Sequence, residues 1–309
     1  MNSYADSGGR GRALFGPVST PGAIATIQTV QISTRGNTTT FGDRTTSKNL
    51  AAGFASPTRG FFAGGSTGGF SDVIDYVTMA SEGNAIEFGN LLVAKGYSGG
   101  LSSSTRGIIA SDYSGSPATA KNVIEYVQMN TLGSALDFGD LTQARLTASS
   151  TFASPTRGVM GGGWVPGNRS EIIDYITIAS TGDAVDFGDL TVKRSACAGG
   201  SNATRGVFMG GYFNVSPVLQ HYNTIDYITI ATTGNATNFG DRTFAGAYAG
   251  GATSQTRMIA GLGFTPTLTN IIDFIEIATA GNAQDFGDAS ITGNSPGACS
   301  DSHGGLGGF

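Results

Sequence analysis

Charge is scarce in this chain of 309 residues: Asp, Glu, Lys and Arg make up 13% of it, and the formal net charge is −5. The basic residues never form a run, which excludes nucleic acid as a main partner, because phosphate recognition needs clustered Lys and Arg. Histidine occurs only at His221 and His303, and cysteine only at Cys197 and Cys299. Imidazoles and thiols so few and so far apart offer no metal-ligand spacing and no disulfide framework, so both cysteines read as small core residues. No apolar run nears the roughly 18 residues that a membrane helix requires. The opening MNSYADSGGRG has no apolar h-region, so neither membrane insertion nor a secretory signal is expected. No Gly-x-Ser-x-Gly elbow occurs, and no Ser/His/Asp arrangement can be assigned. The chain reads as no enzyme, with no catalytic residue, metal or cofactor.

Glycine, by contrast, is abundant at 49 residues, without a collagen period and among many Thr, Ile and Val. That mixture suggests many short strands joined by tight turns. A Phe-Gly pair recurs at Phe41, Phe88, Phe138, Phe187, Phe239 and Phe286, at intervals of 47, 50, 49, 52 and 47 residues. An Ile always lies 14 positions upstream, at Ile27, Ile74, Ile124, Ile173, Ile225 and Ile272. A third anchor, TRG or its variant, places Arg12, Arg59, Arg106, Arg157, Arg205 and Arg257. From each Phe to the next Arg is 18 or 19 residues, whereas from Arg to Phe is 29 to 34, so length varies in one segment only.

Each unit reads as four strands: A, a small-residue run such as SACAGGS; B, RGVFMGG; C, IDYITIA; and D, NATNFGDRT. Strand C is apolar on both pleat faces, with Ile172, Ile176 and Ile178 pointing one way and Ile173 and Tyr175 the other. Such a strand needs cover on both sides. Stacking like sheets around an axis supplies it, and units of this length with four strands are propeller blades. The fold predicted is all-β, a six-bladed propeller spanning 10–303. Its repeats lie at about 10–45, 46–92, 93–142, 143–191, 192–243 and 244–291. A closing strand at about 296–301 completes the blade whose other strands come from 12–45; the alternative is that the C-terminus supplies both strands A and B and displaces the N-terminal segment. Residues 1–9 and 304–309 are read as tails.

Glycines ending strand B (FFAGG, VMGGG, VFMGG), an acid and Tyr in strand C and an aromatic in strand D resemble kelch repeats, with Phe where kelch units carry Trp. Units such as IDYITIASTGDAVDFGDLT, and the ending CSDSHGGL, more closely resemble tandem repeats of proteins in virions of tailed, marine-type bacteriophages. The resemblance covers nearly all of 12–308. It implies a virion structural protein, made in the host cytoplasm and present in many copies or as a homo-oligomer. Its partners would be other virion proteins or a host surface glycan or receptor. A tail fibre or other external appendage is the first station implied, capsid decoration or a tail adaptor the second. A glycan-processing enzyme, with two carboxylates meeting across the central channel, is the remaining reading.

The acids recur too regularly for catalysis, which needs a pair once. Strand C carries Asp75, Glu125, Asp174, Asp226 and Asp273, with Gln28 in the first unit; strand D carries Asp43, Asp140, Asp189, Asp241 and Asp288, with Asn90 in the second. A buried carboxylate demands a partner, so each TRG arginine is predicted to join a carboxylate of its own or the adjacent blade. Recognition is assigned instead to the variable B–C loops, where Phe70, Tyr113, Trp164, Arg169, Phe213, His221, Tyr222 and Phe264 lie. Aromatics among Ser, Asn and Thr are the composition of binding surfaces.

Overall fold

Each strand C is covered on both faces, as its two-sided apolar pattern requires. In the computed structural model, which describes residues 11–20, 22, 24–115 and 117–307, six four-stranded antiparallel sheets form a six-bladed β-propeller. Blade 4 is typical: Thr151–Ala153 (A), Arg157–Val165 (B), Asn168–Thr177 (C) and Val185–Asp189 (D), paired in that order. Blades 2, 3, 5 and 6 begin with strands at Ala52–Ala55, Gly99–Ser102, Ala198–Ser201 and Gly250–Thr253. Blade 1 takes its strand A, Ala298–Ser300, from the far end of the chain and pairs it with Arg12–Phe15, so both ends of the propeller close one sheet. The variable segment is the B–C hairpin, which in blade 5 grows into a ribbon of its own, Tyr212–Val215 with Val218–His221.

The core is divided among the seams between blades. Ile176 and Ile178 of blade 4 pack with Ile108, Ile124 and Phe138 of blade 3, while Ile173 and Phe187 pack with Phe208, Ile228 and Ile230 of blade 5. Equivalent clusters fill the other four seams. No blade can bury its apolar faces alone.

Buried charge crosses five of these seams. The strand C acid of one blade meets a cation from the end of strand D in the blade before it: Arg44–Asp75 at 2.8 Å, Lys95–Glu125 at 2.6 Å, Arg145–Asp174 at 2.9 Å, Arg194–Asp226 at 3.0 Å and Arg242–Asp273 at 2.9 Å. All ten side chains are fully buried. Burial pulls the Arg44, Arg145 and Arg242 guanidiniums below their ordinary pKa, and the facing carboxylate opposes it. In the seam between blades 3 and 4, Arg145 Nε donates to Gly162 O at 2.8 Å, and Thr142 Oγ1 donates to the remaining oxygen of Asp174 at 2.6 Å. Arg194 Nη1 and both Nη atoms of Arg242 have no hydrogen-bond partner. The sixth seam is neutral. Gln28 Oε1 accepts from Thr38 Oγ1, Ser290 Oγ and Ile291 N at 2.8, 2.9 and 3.2 Å.

The TRG arginines are therefore not the ionic spokes expected of them. Each reaches across a seam to a carbonyl just past strand C of the next blade: Arg12 to Met79, Arg59 to Met129, Arg106 to Ile178, Arg157 to Ile230, Arg205 to Ile277 and Arg257 to Ser33, at 2.7–3.0 Å. Arg59, Arg106, Arg157 and Arg205 also lie 4.5–4.7 Å over the strand C tyrosine of their own blade. Blade 1 has Thr29 at that position, and Arg12 sits over Phe41. Arg257 adds a partly exposed pair with Glu276. The arginine opens strand B, where Arg157 pairs with Thr177, whereas Asp174 pairs three residues farther along with Met160 and faces the other end of the blade.

The strand D acids Asp43, Asp140, Asp189, Asp241 and Asp288 also have a seam role, through their backbone. Their N–H groups donate to the side chains of Asn84, Asp183, Asn235, Asn282 and Asn37 in the C–D turn of the following blade, at 2.9–3.1 Å. That turn covers the exposed edge of strand D, which would otherwise invite pairing with other chains. The glycine of the FGD repeat makes the approach feasible, since a Cβ on Gly188 would lie 2.5 Å from Gly234 O.

Both ends of the axis are sealed. At one end Leu50, Tyr97, Ala148, Ala196, Tyr248 and Ser295 all adopt left-handed φ of 46–62°. They pass backbone hydrogen bonds around the ring, from Leu50 N to Ser295 O, Tyr97 N to Leu50 O, Ala148 N to Tyr97 O, Tyr248 N to Ala196 O and Ser295 N to Tyr248 O. At the other end, the stretch expected as a C-terminal tail docks: Gly304–Leu306 form a turn of 3₁₀-helix, and His303 Nε2 contacts Ala55 O at 2.9 Å and Ser102 Oγ at 3.2 Å. Gln255 Nε2 donates to Ser302 O and His303 O at 3.1 and 3.2 Å. Around the axis the small residues of strand A let neighbouring backbones approach, since a Cβ on Gly100 would collide with Gly53 O. The tail expected at 1–9 and residues 308–309 lie outside the described residues. Cys197 and Cys299 are free and buried, and burial pushes the Cys299 thiol up to about 12.

Two outcomes follow. Arg145→Ala strands a buried carboxylate and lowers stability by about 3–5 kcal/mol, whereas Arg157→Ala loses carbonyl bonds and a ring contact worth about 1–2 kcal/mol. Denaturant melts of the two variants compare them, and equal losses would reject the division of labour between the two arginines. Burial holds the His303 imidazole down at about 4, from an ordinary 6.5. The unfolded chain thus binds the proton first, and stability falls as pH drops from about 6.5 toward 4, by at most about 3 kcal/mol. The His303→Gln variant should lose that acid slope in thermal melts taken across this range.

Candidate binding site

Seven residues after each repeat arginine the backbone turns out of strand B and crosses the D–A link of its own blade. Isolated bridges join Ser19 to Asn294, Ser66 to Asn49, Tyr113 to Gly96, Trp164 to Leu146, Tyr212 to Ser195 and Phe264 to Ala247. Equivalent backbone thus carries aromatic side chains in blades 3 to 6 and serine in blades 1 and 2. The ring of left-handed residues adds Tyr97 and Tyr248 beside them.

The aromatic groups touch in sequence across one sector of this face. Phe70 meets Tyr113 at 5.8 Å, Tyr97 meets Tyr113 at 5.6 Å, and Tyr113 meets Trp164 at 6.1 Å, all edge to face. Arg169, opposite Trp164 in the B–C hairpin, lies 4.7 Å over the Tyr212 ring. Tyr212 continues to Tyr248 at 5.2 Å and to His221 at 6.1 Å, and His221 to Phe264 at 5.8 Å. The Tyr212 and Tyr248 hydroxyls are 2.6 Å apart.

Within this arc lies a cavity of about 190 Å³. Tyr97, Tyr113, Trp164, Arg169, Tyr212 and Tyr248 form its walls, with Leu146, Ala148, Ser195 and Ala196 beneath. Arg169 is 5% exposed. Its Nη1 donates to Asn168 O at 3.0 Å, while the buried Nε has no hydrogen-bond partner. No Asp or Glu lines the cavity, and Arg169 forms none of the ion pairs among the described residues. Burial and the neighbouring phenols raise the pKa of Tyr97 and Tyr248, so both hydroxyls stay protonated. The site therefore combines flat apolar faces, neutral hydroxyls and one cation lacking a counterion.

Of the residues assigned to recognition from sequence, Phe70, Tyr113, Trp164, Arg169, His221 and Phe264 belong to this arc. Phe213, on the blade 5 ribbon, and Tyr222, just past it, are half-buried and have no ring contact to the arc. Burial lowers the pKa of His221. Tyr97 and Tyr248 were hidden in what reads as turn sequence, although they stand nine residues before Arg106 and Arg257. The central channel holds about 50 Å³ and is lined mostly by Gly, Ala, Ser and Thr, with no carboxylate among its lining residues. No protein-family model matches the chain, and no curated protein sequence matches it.

Proposed function

We propose that the chain is a non-catalytic recognition module of a phage particle, a tail-fibre or other external appendage component, which contacts a host surface glycan through its B–C loop face. The observation that carries this reading is a contrast within the repeat. The regularly recurring Arg, acid and Gly positions serve the seams, whereas the aromatics at one register differ among blades and gather in a single sector around a cavity. Stability accounts for the first set and leaves the second without a structural duty. Aromatic rings with adaptable polar neighbours suit weak, reversible contact, and many copies on one particle multiply weak contacts into firm attachment. The placement in a virion rests on the likeness of the repeats to phage virion proteins.

Purified protein, fluorescently labelled, should attach to cells of a susceptible strain, and Trp164→Ala should reduce that attachment about tenfold, on the scale of one lost aromatic anchor. Binding to isolated particles without binding to cells would favour capsid decoration or a tail adaptor instead.

A further inference from the structure

We propose that the cavity between blades 3 and 6 takes one carboxylate-bearing ring of an acidic saccharide, with Arg169 holding the carboxylate and Trp164 or Tyr113 against the sugar face. The inference rests on the reading of this face as a glycan-recognition surface and narrows its ligand to a uronic-acid type.

The charge argument is the strongest. A guanidinium removed from water costs free energy unless a partner compensates it. Among the described residues, every other buried arginine meets a carboxylate across a seam. Arg169, nearly as buried, has the Tyr212 ring and one carbonyl instead. The bond to Asn168 occupies Nη1, and Nε is buried without a partner, so a carboxylate that reached Nη2 and Nε together would satisfy the orphaned donor through two parallel hydrogen bonds. A phosphate dianion would call for further cations, and none lines the cavity.

Size and surface agree with a single sugar ring. At about 190 Å³ the cavity is smaller than the roughly 300–1,000 Å³ that drug-sized ligands occupy. Its aromatic walls offer faces for the C–H side of a pyranose, and the Tyr97, Tyr212 and Tyr248 hydroxyls offer partners for sugar hydroxyls. Four of the left-handed residues, Tyr97, Ala148, Ala196 and Tyr248, line the cavity.

The test uses Trp164, the sole tryptophan of the chain, as its reporter. Methyl glucuronide and methyl glucoside, which differ only in having a carboxylate or a hydroxymethyl group at C6, are titrated into the full chain while its fluorescence is followed. Glucuronide should bind at least tenfold more tightly, and Arg169→Gln should erase the difference. Should that variant fail to fold, Arg169→Lys, which keeps the charge but loses the paired donors, should lower the preference for glucuronide and leave glucoside binding unchanged, and an undiminished preference would overturn the inference. Equal binding of both sugars, or binding of neither while the protein still attaches to cells, overturns the inference and leaves the recognition reading standing. Failure to bind either sugars or cells overturns both.

Discussion

A carboxylate cut off from water needs compensation, and in five seams of this propeller a cation of the neighbouring blade supplies it. Asp75, Glu125, Asp174, Asp226 and Asp273 are each stranded if the preceding blade is absent or displaced. Such pairs add little net stability over an apolar seam, because desolvation cancels much of the attraction. Their effect is on register: a blade that slid or rotated would leave two buried charges unmatched. The apolar clusters supply the driving force, and the ion pairs restrict the blades to one way of stacking.

The arrangement explains how so little charge suffices. With 13% charged residues, the chain places ten of them in five seams and its TRG arginines on carbonyls at the rim. The seam between blades 6 and 1 departs from the rule, with Gln28, Thr38 and Ser290 in place of an ion pair. It is also the seam beside the blade assembled from distant parts of the chain. A neutral hydrogen-bonded cluster there can form without first stripping water from two ions.

Architecture was legible in the sequence because the Ile-to-Phe spacing of 14 residues and the two-sided strand C leave few alternatives. The apolar residues of RALF favoured it as strand B of blade 1, but the sequence left open that the C-terminus supplied both strands, and the pairing of Arg12–Phe15 with Ala298–Ser300 decides it. The identity of the ionic spokes could not be read. Arg44 and Arg242 directly follow the strand D acid, whereas Arg145 and Arg194 come five residues after it, and a flexible side chain brings both kinds to the same point. The TRG arginine, at near-constant spacing, drew the assignment by its regularity alone. The binding cavity was half legible: loop aromatics stood out by composition, but Tyr97 and Tyr248 owe their place to a left-handed turn that non-glycine residues conceal. The lack of a counterion at Arg169 is a property of three dimensions, as many acids lie near it in sequence.

The pairing of Arg12–Phe15 with Ala298–Ser300 has a temporal side as well. The Arg12 amide and its Asp301 acceptor are 289 residues apart, so during synthesis the first sheet waits as an incomplete fragment while five others emerge. Contacts of such long range are slow to form. An unfinished blade leaves a bare strand and a greasy flank available to nascent neighbours, and it is at this step that crowding of newly made chains would divert them into aggregates.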